Sequence, residues 1–285
     1  MARVFITGSS DGLGLMAAKL LIEQRHDVVL HGRNDKRCRD ALAAAPGAKD
    51  AVLGDFSTIA GAKAVAEGVN SLGRFNAVIH NAGIGYREPR RADMASGVPN
   101  VFAVNVLAPY ILTALIERPD RLIYVSSGMH QGVRPQMDDL LWTKRSWSGA
   151  SAYAESKLCD VLLALAVARR WKNVLSNALE PGWVPTKMGG PSAPGNMQKA
   201  HVTQAWLATS DDPVARSTGE YFYHQKLREP NPIARDVKIQ DELLSECGRI
   251  SGVPFPEWDP NTGLRAPASS GCYDRKSCQQ RPLKE

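Results

Sequence analysis

Short apolar, β-branched runs alternate with longer stretches of helical period through the first two-thirds of the chain. The runs predict strands over residues 4–7, 28–31, 51–53, 77–80, 122–125, 175–179 and 221–223. Apolar positions three and four apart predict helices over residues 13–24, 60–71, 101–116, 152–170 and 198–209. Strands separated by helices pair in parallel, because a helical crossover carries the chain back to the start of the next strand. The expected fold is therefore α/β, a doubly wound parallel sheet of about seven strands with helices on both faces.

No internal repeat or linker interrupts the alternation, so residues 1–253 are read as one domain. Two segments depart from it. Residues 128–150 hold Gly128, Gly132, Pro135, Trp142 and Trp147, too long for a tight strand-to-helix turn, and are expected to form an insertion beside the site that the fifth strand presents. Residues 254–285 carry five of the 18 prolines and no apolar period, so an irregular, poorly ordered tail is expected. Cys272 and Cys278 lie within it and are read as incidental thiols rather than a metal clip.

With 44% hydrophobic and 22% charged residues among 285, the chain is composed as a folded globular protein. Five cysteines with no CxxC pair make neither a disulfide framework nor a zinc site, so no metal is expected and a reduced, cytoplasmic setting fits. The N-terminus offers three consecutive apolar residues, against the roughly 7 to 15 of a signal-peptide core. The most apolar stretch, residues 158–168, contains Asp160 and falls short of the roughly 18 residues a membrane span needs, so a buried helix is expected and no membrane partner. The net charge of +6 is concentrated in part at Arg33, Lys36, Arg37 and Arg39; no basic stripe for nucleic acid is seen.

Those four basic residues follow the second strand, and their meaning depends on the turn after the first. There the chain reads Thr7-Gly8-Ser9-Ser10-Asp11-Gly12-Leu13-Gly14 and then enters a helix. Glycines at 8, 12 and 14 remove Cβ atoms where backbone must turn and approach a ligand, and the helix N-terminus offers free N–H groups to a pyrophosphate. This is Rossmann-type dinucleotide chemistry, with a ligand-free glycine turn as the plain alternative. After the second strand, Gly32-Arg33-Asn34 has no carboxylate for a ribose 2′-OH, while Arg33 presents a planar charged fork to a 2′-phosphate. NADP(H) is therefore expected in preference to NAD(H), the alternative being an exposed loop arginine.

Tyr153-Ala154-Glu155-Ser156-Lys157 opens the fifth predicted helix and puts Tyr153 and Lys157 one turn apart on one face. A phenol used near neutral pH must lose roughly 3 pKa units, about 4 kcal/mol. One ammonium about 5 Å away supplies roughly 3 kcal/mol at an effective dielectric of about 20. The pair is thus expected to lower the Tyr153 pKa. Ser126 and Ser127 end the fifth strand, and Asn105 lies mid-helix four residues before Pro109, which removes the backbone donor Asn105 needs.

The TGxxxGxG turn, His80-Asn81-Ala82-Gly83, the YxxxK pair and Pro181-Gly182-Trp183-Val184-Pro185-Thr186 stand in the order in which the short-chain dehydrogenase/reductase family carries them, and the chain resembles that family over residues 4–224. The retinol-dehydrogenase-like, NADP-preferring branch is the nearest in pattern. His80 stands where the family's NNAG motif has its first Asn. The resemblance implies an Asn105-Ser127-Tyr153-Lys157 tetrad, with Ser127 holding the substrate oxygen and Asn105 a water that links Lys157 to solvent. It implies cofactor contacts at Gly8, Ser10, Asp11, Gly12, Leu13, Gly14, Arg33, Asn34, Asp55, Asn81, Ala82, Gly83, Tyr153, Lys157, Pro181, Gly182, Val184 and Thr186. Asp55 could equally cap the next helix.

The expected function is NADP(H)-dependent interconversion of a carbonyl and an alcohol, with Tyr153 as general acid and base; the rival is a cofactor-binding sensor on the same fold. Met129, Trp183 and Met188 are the expected substrate contacts, in a region that also holds His130, Trp142, Trp147 and residues 189–195. The Trp residues serve as well to pack the insertion. An apolar substrate is expected, and the stripe Leu158, Val161, Leu162, Leu165 is read as core, on a helix that also offers a homodimer face over residues 152–170.

Overall fold

Each of the seven apolar runs forms a strand in the computed structural model, which describes residues 1–92 and 97–257. The strands are β1 (Arg3–Ile6), β2 (Asp27–Gly32), β3 (Asp50–Leu53), β4 (Ala77–His80), β5 (Arg121–Val125), β6 (Leu175–Glu180) and β7 (Tyr221–Tyr223). An eighth, β8 (Lys226–Leu227), adds one short strand to the expected seven. It escapes a periodicity reading because it is two residues long and exposed on both. His224 and Gln225 join it to β7 with positive φ at both positions, the hairpin geometry that matches strand twist. The order across the sheet is β3-β2-β1-β4-β5-β6-β7-β8, with every pair parallel except β7 and β8.

The helices are α1 (Gly12–Glu23), α2 (Asp35–Ala44), α3 (Ile59–Ser71), α4 (Asn100–Phe102), α5 (Ala108–Leu115), α6 (Gly149–Arg170), α7 (Met197–Ala200), α8 (Val202–Thr209) and α9 (Val237–Ser251). Two were not anticipated. Half of α2 is charged and it buries only Cys38 and Ala41, but Asn34 caps it by accepting from the Arg37 N–H at 2.9 Å. α9 does carry the signal, with Ile239, Leu243, Leu244 and Cys247 buried at helical spacing after the Asp236 cap. The single helix expected over residues 101–116 is broken by a π-helical turn at Ala103–Leu107, where the Ala108 N–H reaches the Ala103 carbonyl. Pro109 supplies the reason: it cannot donate to Asn105, so the ladder shifts by one residue.

Alternate strand positions face two layers. Val4, Ile6, Val28, Leu30, Ala77, Ile79 and Ile123 pack with Ala17, Ala18 and Leu21 of α1 and Ala205, Leu207 and Ala208 of α8. The other face meets α5 and α6, with α3 beside α5 and α9 outside α6. Residues 152–167 of α6 are buried within the single chain. α9 packs against the helix on which a homodimer face was expected, and Arg169 and Arg170 of the last turn of α6 pair with its Asp241. No helix among the described residues is long and apolar enough to cross a membrane. Met1–Phe255 forms one compact unit and a second begins at Pro256; the tail expectation, with Cys272 and Cys278, falls beyond residue 257, outside the described residues.

One polar chain crosses between sheet and helices. His80 Nε2 lies 3.2 Å from Thr113 Oγ1, which lies 2.7 Å from the Tyr124 hydroxyl, joining β4, α5 and β5. Burial pushes the His80 pKa down to about 3. A histidine depressed in the fold stabilises fully above its unfolded value of about 6.5 and loses that contribution as pH falls toward the folded value, because the unfolded chain takes up the proton first. Between pH 6.5 and 4.5 His80 alone should account for about 2 kcal/mol of lost stability. Denaturant unfolding of wild type and His80→Asn at these two pH values checks this: the variant's loss should be smaller by that amount.

Candidate active site

Three strand ends meet at the glycine turn. Thr7 Oγ1 accepts from the Asn81 and Ala82 N–H groups at 3.0 and 2.9 Å, and the Asn81 amide donates to the Thr7 and Gly8 carbonyls at 3.0 and 3.2 Å. His31, stacked on Phe56, accepts from Gly8 N–H at 3.0 Å through Nδ1, and its Nε2 lies 2.9 Å from the Gly54 carbonyl. Burial lowers its pKa to about 4, which keeps the neutral tautomer that serves both bonds. Asn81 thus ties the loop after β4 to the loop after β1, and Thr7 and His31 are positioning residues that motif reading passed over.

The glycines divide by role. Gly8 has φ +61°, and a Cβ there would stand 2.8 Å from Ala82 Cα. A Cβ at Gly14 would meet the Asn81 amide at 2.4 Å, so this glycine permits close packing. Gly12 has φ +57° with open space where its Cβ would be, the condition a cradle for a ligand requires. Ser10, Asp11 and Leu13 are half-buried around it. Asp11 bridges Arg37 of α2 at 2.7 Å and Lys187 of the loop after β6 at 2.8 Å. Burial works to raise its pKa, but the two cations hold it below the usual carboxylate range.

At the end of β2, Arg33 is exposed, Asn34 is engaged in capping α2, and Arg37 leans over the glycine turn. Asp55 accepts from the Ser57 N–H at 2.9 Å while Thr58 caps α3, so Asp55 shapes its own turn. A Cβ at Gly83 would stand 3.4 Å from Lys157 Nζ and 3.5 Å from Asn105 Oδ1, which marks the floor between these two side chains.

α6 delivers Tyr153 and Lys157, both buried. Lys157 Nζ lies 5.9 Å from the centre of the Tyr153 ring. The Ser127 side chain stands close enough to bear on the Tyr153 hydroxyl, so the long segment between them does loop out and return. Asn105 accepts from the Ile84 N–H at 2.9 Å and donates to the Ile84 carbonyl and to Ser156 Oγ at 3.1 and 2.9 Å. Its direct partners are thus the loop after β4 and the serine beside Lys157, at the π-helical turn that turns it inward.

One expectation is corrected. On balance the Tyr153 pKa is raised, because burial of the phenol outweighs the Lys157 charge and the Ser127 hydrogen bond, and Asp160 opposes Lys157. The ammonium is not free to act alone: it donates to the Val125 carbonyl at 2.9 Å and to Asp160 at 2.8 Å.

The insertion is held by two clamps. His130 is buried; its Nδ1 lies 2.7 Å from the Ser127 carbonyl and its Nε2 accepts from the Asn231 N–H at 3.2 Å, while the Asn231 amide reaches the carbonyls of His130, Gln131 and Val133. Further on, Arg145 stacks 3.6 Å from the centre of the Trp142 ring, forks onto Glu155 at 2.7 and 2.6 Å and lies 3.3 Å from Asp139. Trp142 and Trp147 meet edge to face, so these two tryptophans pack the insertion.

Around Tyr153 the walls are Val101, Ala152, Ile84, Tyr86, Trp147 and Met188. The Tyr153 hydroxyl lies 3.7 Å from Met188 sulfur, and Tyr86 sits edge-on to its ring at 5.6 Å. Ile84 and Tyr86 follow the NAG segment directly, and that adjacency was the available signal for them. Met129 and Trp183 are 40% and 57% exposed, at the rim rather than against Tyr153. Pro181 and Gly182 turn the chain after β6, with Gly182 at φ +83° under the Tyr223 ring. Val184 and Thr186 close a turn on each other, and Thr186 Oγ1 accepts from the Gly189 N–H at 3.1 Å.

Residues 2–131 match the family model described as short chain dehydrogenase. An uncharacterized oxidoreductase of Emericella nidulans is 45% identical over 90% of this chain and 99% of its own. A short-chain dehydrogenase of Gibberella zeae is 38% identical over 90% and 99%, and human retinol dehydrogenase 13 is 27% identical over 89% and 85%. Among solved structures, an uncharacterized protein from Mycobacterium paratuberculosis shares the fold with a TM-score of 0.77 at 22% identity, over 90% of this chain and 95% of that one. The RhlG/NADP active-site complex of Pseudomonas aeruginosa does so with 0.62 at 22%, over 78% and 93%.

Arg145 neutralises two carboxylates whose side chains are 1% and 10% exposed, Asp139 and Glu155. Replacing Arg145 with Met leaves Glu155 unpaired and Asp139 with only the Thr143 and Lys144 hydrogen bonds, and is expected to destabilise the fold by about 3 kcal/mol. The readout is a lower denaturation midpoint at unchanged m-value.

Proposed function

The chain belongs to the short-chain dehydrogenase/reductase family, and from that premise we propose that it is an NADP(H)-dependent oxidoreductase that interconverts an apolar carbonyl compound and its alcohol, with Tyr153 moving the proton. The observation that carries this reading is the buried Tyr153 phenol, close to Ser127 and one helical turn from Lys157, at the carboxyl ends of the strands where the glycine turn opens.

The residues present fit a dinucleotide. Gly12 leaves open space beside free N–H groups at the start of α1, and Gly83 keeps the loop after β4 low beside Lys157. Gly8, Ser10, Asp11, Leu13, Asn81, Ala82 and the segment Pro181, Gly182, Val184 and Thr186 would line the same crevice. At the end of β2 no carboxylate faces a ribose, and Arg33, with Asn34 at the start of α2, would receive a 2′-phosphate. The Pseudomonas structure was solved with NADP, which supports that choice by fold. When bound, the nicotinamide supplies or takes up hydride at the substrate carbon.

The chain's own residues do the rest. The Tyr153 hydroxyl gives a proton to the carbonyl oxygen and takes it back in the reverse direction, while Ser127 donates a hydrogen bond to that oxygen. Lys157 keeps positive charge beneath the phenol, and Asn105 holds the loop at Ile84 against α6. Ile84, Tyr86, Val101 and Met188 exclude water around the reacting oxygen and select an apolar substrate. Cytoplasmic residence belongs to the same reading, on the buried free thiols Cys38, Cys159 and Cys247.

Two measurements test it. Tyr153→Phe should abolish NADPH oxidation with a panel of aldehydes, ketones and quinones while leaving NADPH binding within about twofold of wild type; retained turnover would remove Tyr153 from its role. Arg33→Ala should weaken NADPH binding at least tenfold, about 1.4 kcal/mol, and leave NADH nearly unchanged. Equal losses for both cofactors would speak against a 2′-phosphate site.

A further inference from the structure

Beneath the tetrad lies a carboxylate that the reading above does not use. Asp160 stands three residues after Lys157 on α6, its Oδ2 lies 2.8 Å from Nζ, and the two side chains are 3% and 5% exposed. The second bond from Nζ goes to the Val125 carbonyl at the end of β5, so the ammonium is tethered at two points. Nothing in the YxxxK pattern requires an acid here. A buried carboxylate costs several kcal/mol to desolvate and persists only when its partner is equally well placed. Burial works against both charges: for the Lys157 ammonium, Asp160 together with Tyr153 more than offsets it, while the Asp160 carboxyl is pushed up to about 6 even with Lys157 beside it.

The consequence falls on Tyr153. A lone ammonium one turn away favours the phenolate, whereas an ammonium with its counter-ion at 2.8 Å presents a much weaker field. The titratable groups that face this pair and Tyr153 are Cys159 on α6, Tyr124 on β5, Tyr221 on β7 and Tyr86 in the loop after β4. His80 of β4 connects to Tyr124 through Thr113, and Glu155 and Cys247 of α9 bear on Cys159. Burial pushes the phenols of Tyr124 and Tyr221 and both thiols up and His80 down, so all of these are uncharged near neutral pH. Glu155 is already forked by Arg145. The charge at Tyr153 is therefore decided between Lys157 and Asp160.

We propose that Asp160 is a positioning residue that tethers Lys157 and cancels much of its field, holding Tyr153 protonated through neutral pH, so that carbonyl reduction runs there and alcohol oxidation is confined to alkaline pH. This rests on Tyr153 as the proton-transferring group, and the experiment separates the two claims. The Tyr153 phenol is titrated by phenolate ultraviolet absorbance, as the difference between each protein and its Tyr153→Phe counterpart. The proteins are wild type, Asp160→Asn and Asp160→Ala. No substrate is needed.

The midpoint is expected to fall by about one pH unit in both Asp160 variants, a tenfold gain in phenolate at a given pH. Where a substrate is found, the rising limb of alcohol oxidation should move down by the same amount. An unchanged or raised midpoint overturns the proposal. So does failure of both variants to fold, which would make the carboxylate structural. A lowered midpoint without turnover on any carbonyl compound would sink the reductase reading and leave the electrostatic role of Asp160 standing.

Discussion

The crevice at the carboxyl ends of the strands depends on a single joint, the hydrogen bonds between Thr7, Asn81 and Ala82. β1 and β4 are neighbours, but the chain reaches β4 only after crossing out to β2 and β3 and returning. Loops therefore leave β1 and β4 toward opposite sides, and a cleft opens between them. Left alone, two such loops would expose unpaired backbone groups. Thr7 Oγ1 and the Asn81 amide satisfy them and lock the glycine turn, and the absence of Cβ atoms at Gly8 and Gly14 lets the parts close to contact.

The second organising constraint is charge taken out of water. Burial favours the neutral form of His31 and His80; His31 uses both ring nitrogens to bridge the loops after β1 and β3, and His80 reaches α5 through Nε2. Asp139, Glu155 and Arg145 form one closed set in the insertion, and Lys157 and Asp160 form another beside Tyr153. Each set rigidifies the element it lies in, since a buried charge cannot part from its partner without a large penalty. The insertion thus gains a defined shape although it has little regular structure, and Ser127 gains a fixed place through His130 and Asn231.

Much of this was legible in the chain. The runs are legible as strands because short apolar stretches that are mostly buried suit a parallel sheet covered on both faces, and the glycine turn and the Tyr153-Lys157 spacing are strictly local patterns. What escaped was short or polar, except α9, whose buried positions do carry a helical period. β8 has two exposed residues, and α2 buries only two; neither produces an apolar period, and α2 announces itself only by its Asn34 cap. The Trp142 and Trp147 pair could be read as pocket or as packing; Arg145 holds Trp142 in the insertion, while Trp147 also stands in the wall around Tyr153. Met188, far along the chain, does reach Tyr153, whereas Met129 and Trp183 are exposed at the rim.

The sequence by itself determined the fold class, the phosphate-cradling turn and the spacing of Tyr153 from Lys157, because each depends on residues within about one turn or one strand of each other. Only the tertiary structure decided the electrostatic state of that pair. The field at Tyr153 is the sum of desolvation by a surrounding wall, the nearby Ser127 hydroxyl across a long insertion, and a carboxylate whose burial keeps it against Lys157. Burial is a property of the folded assembly, and a charge's worth depends on burial, so a lysine that looks free along the chain is half of an ion pair in the fold.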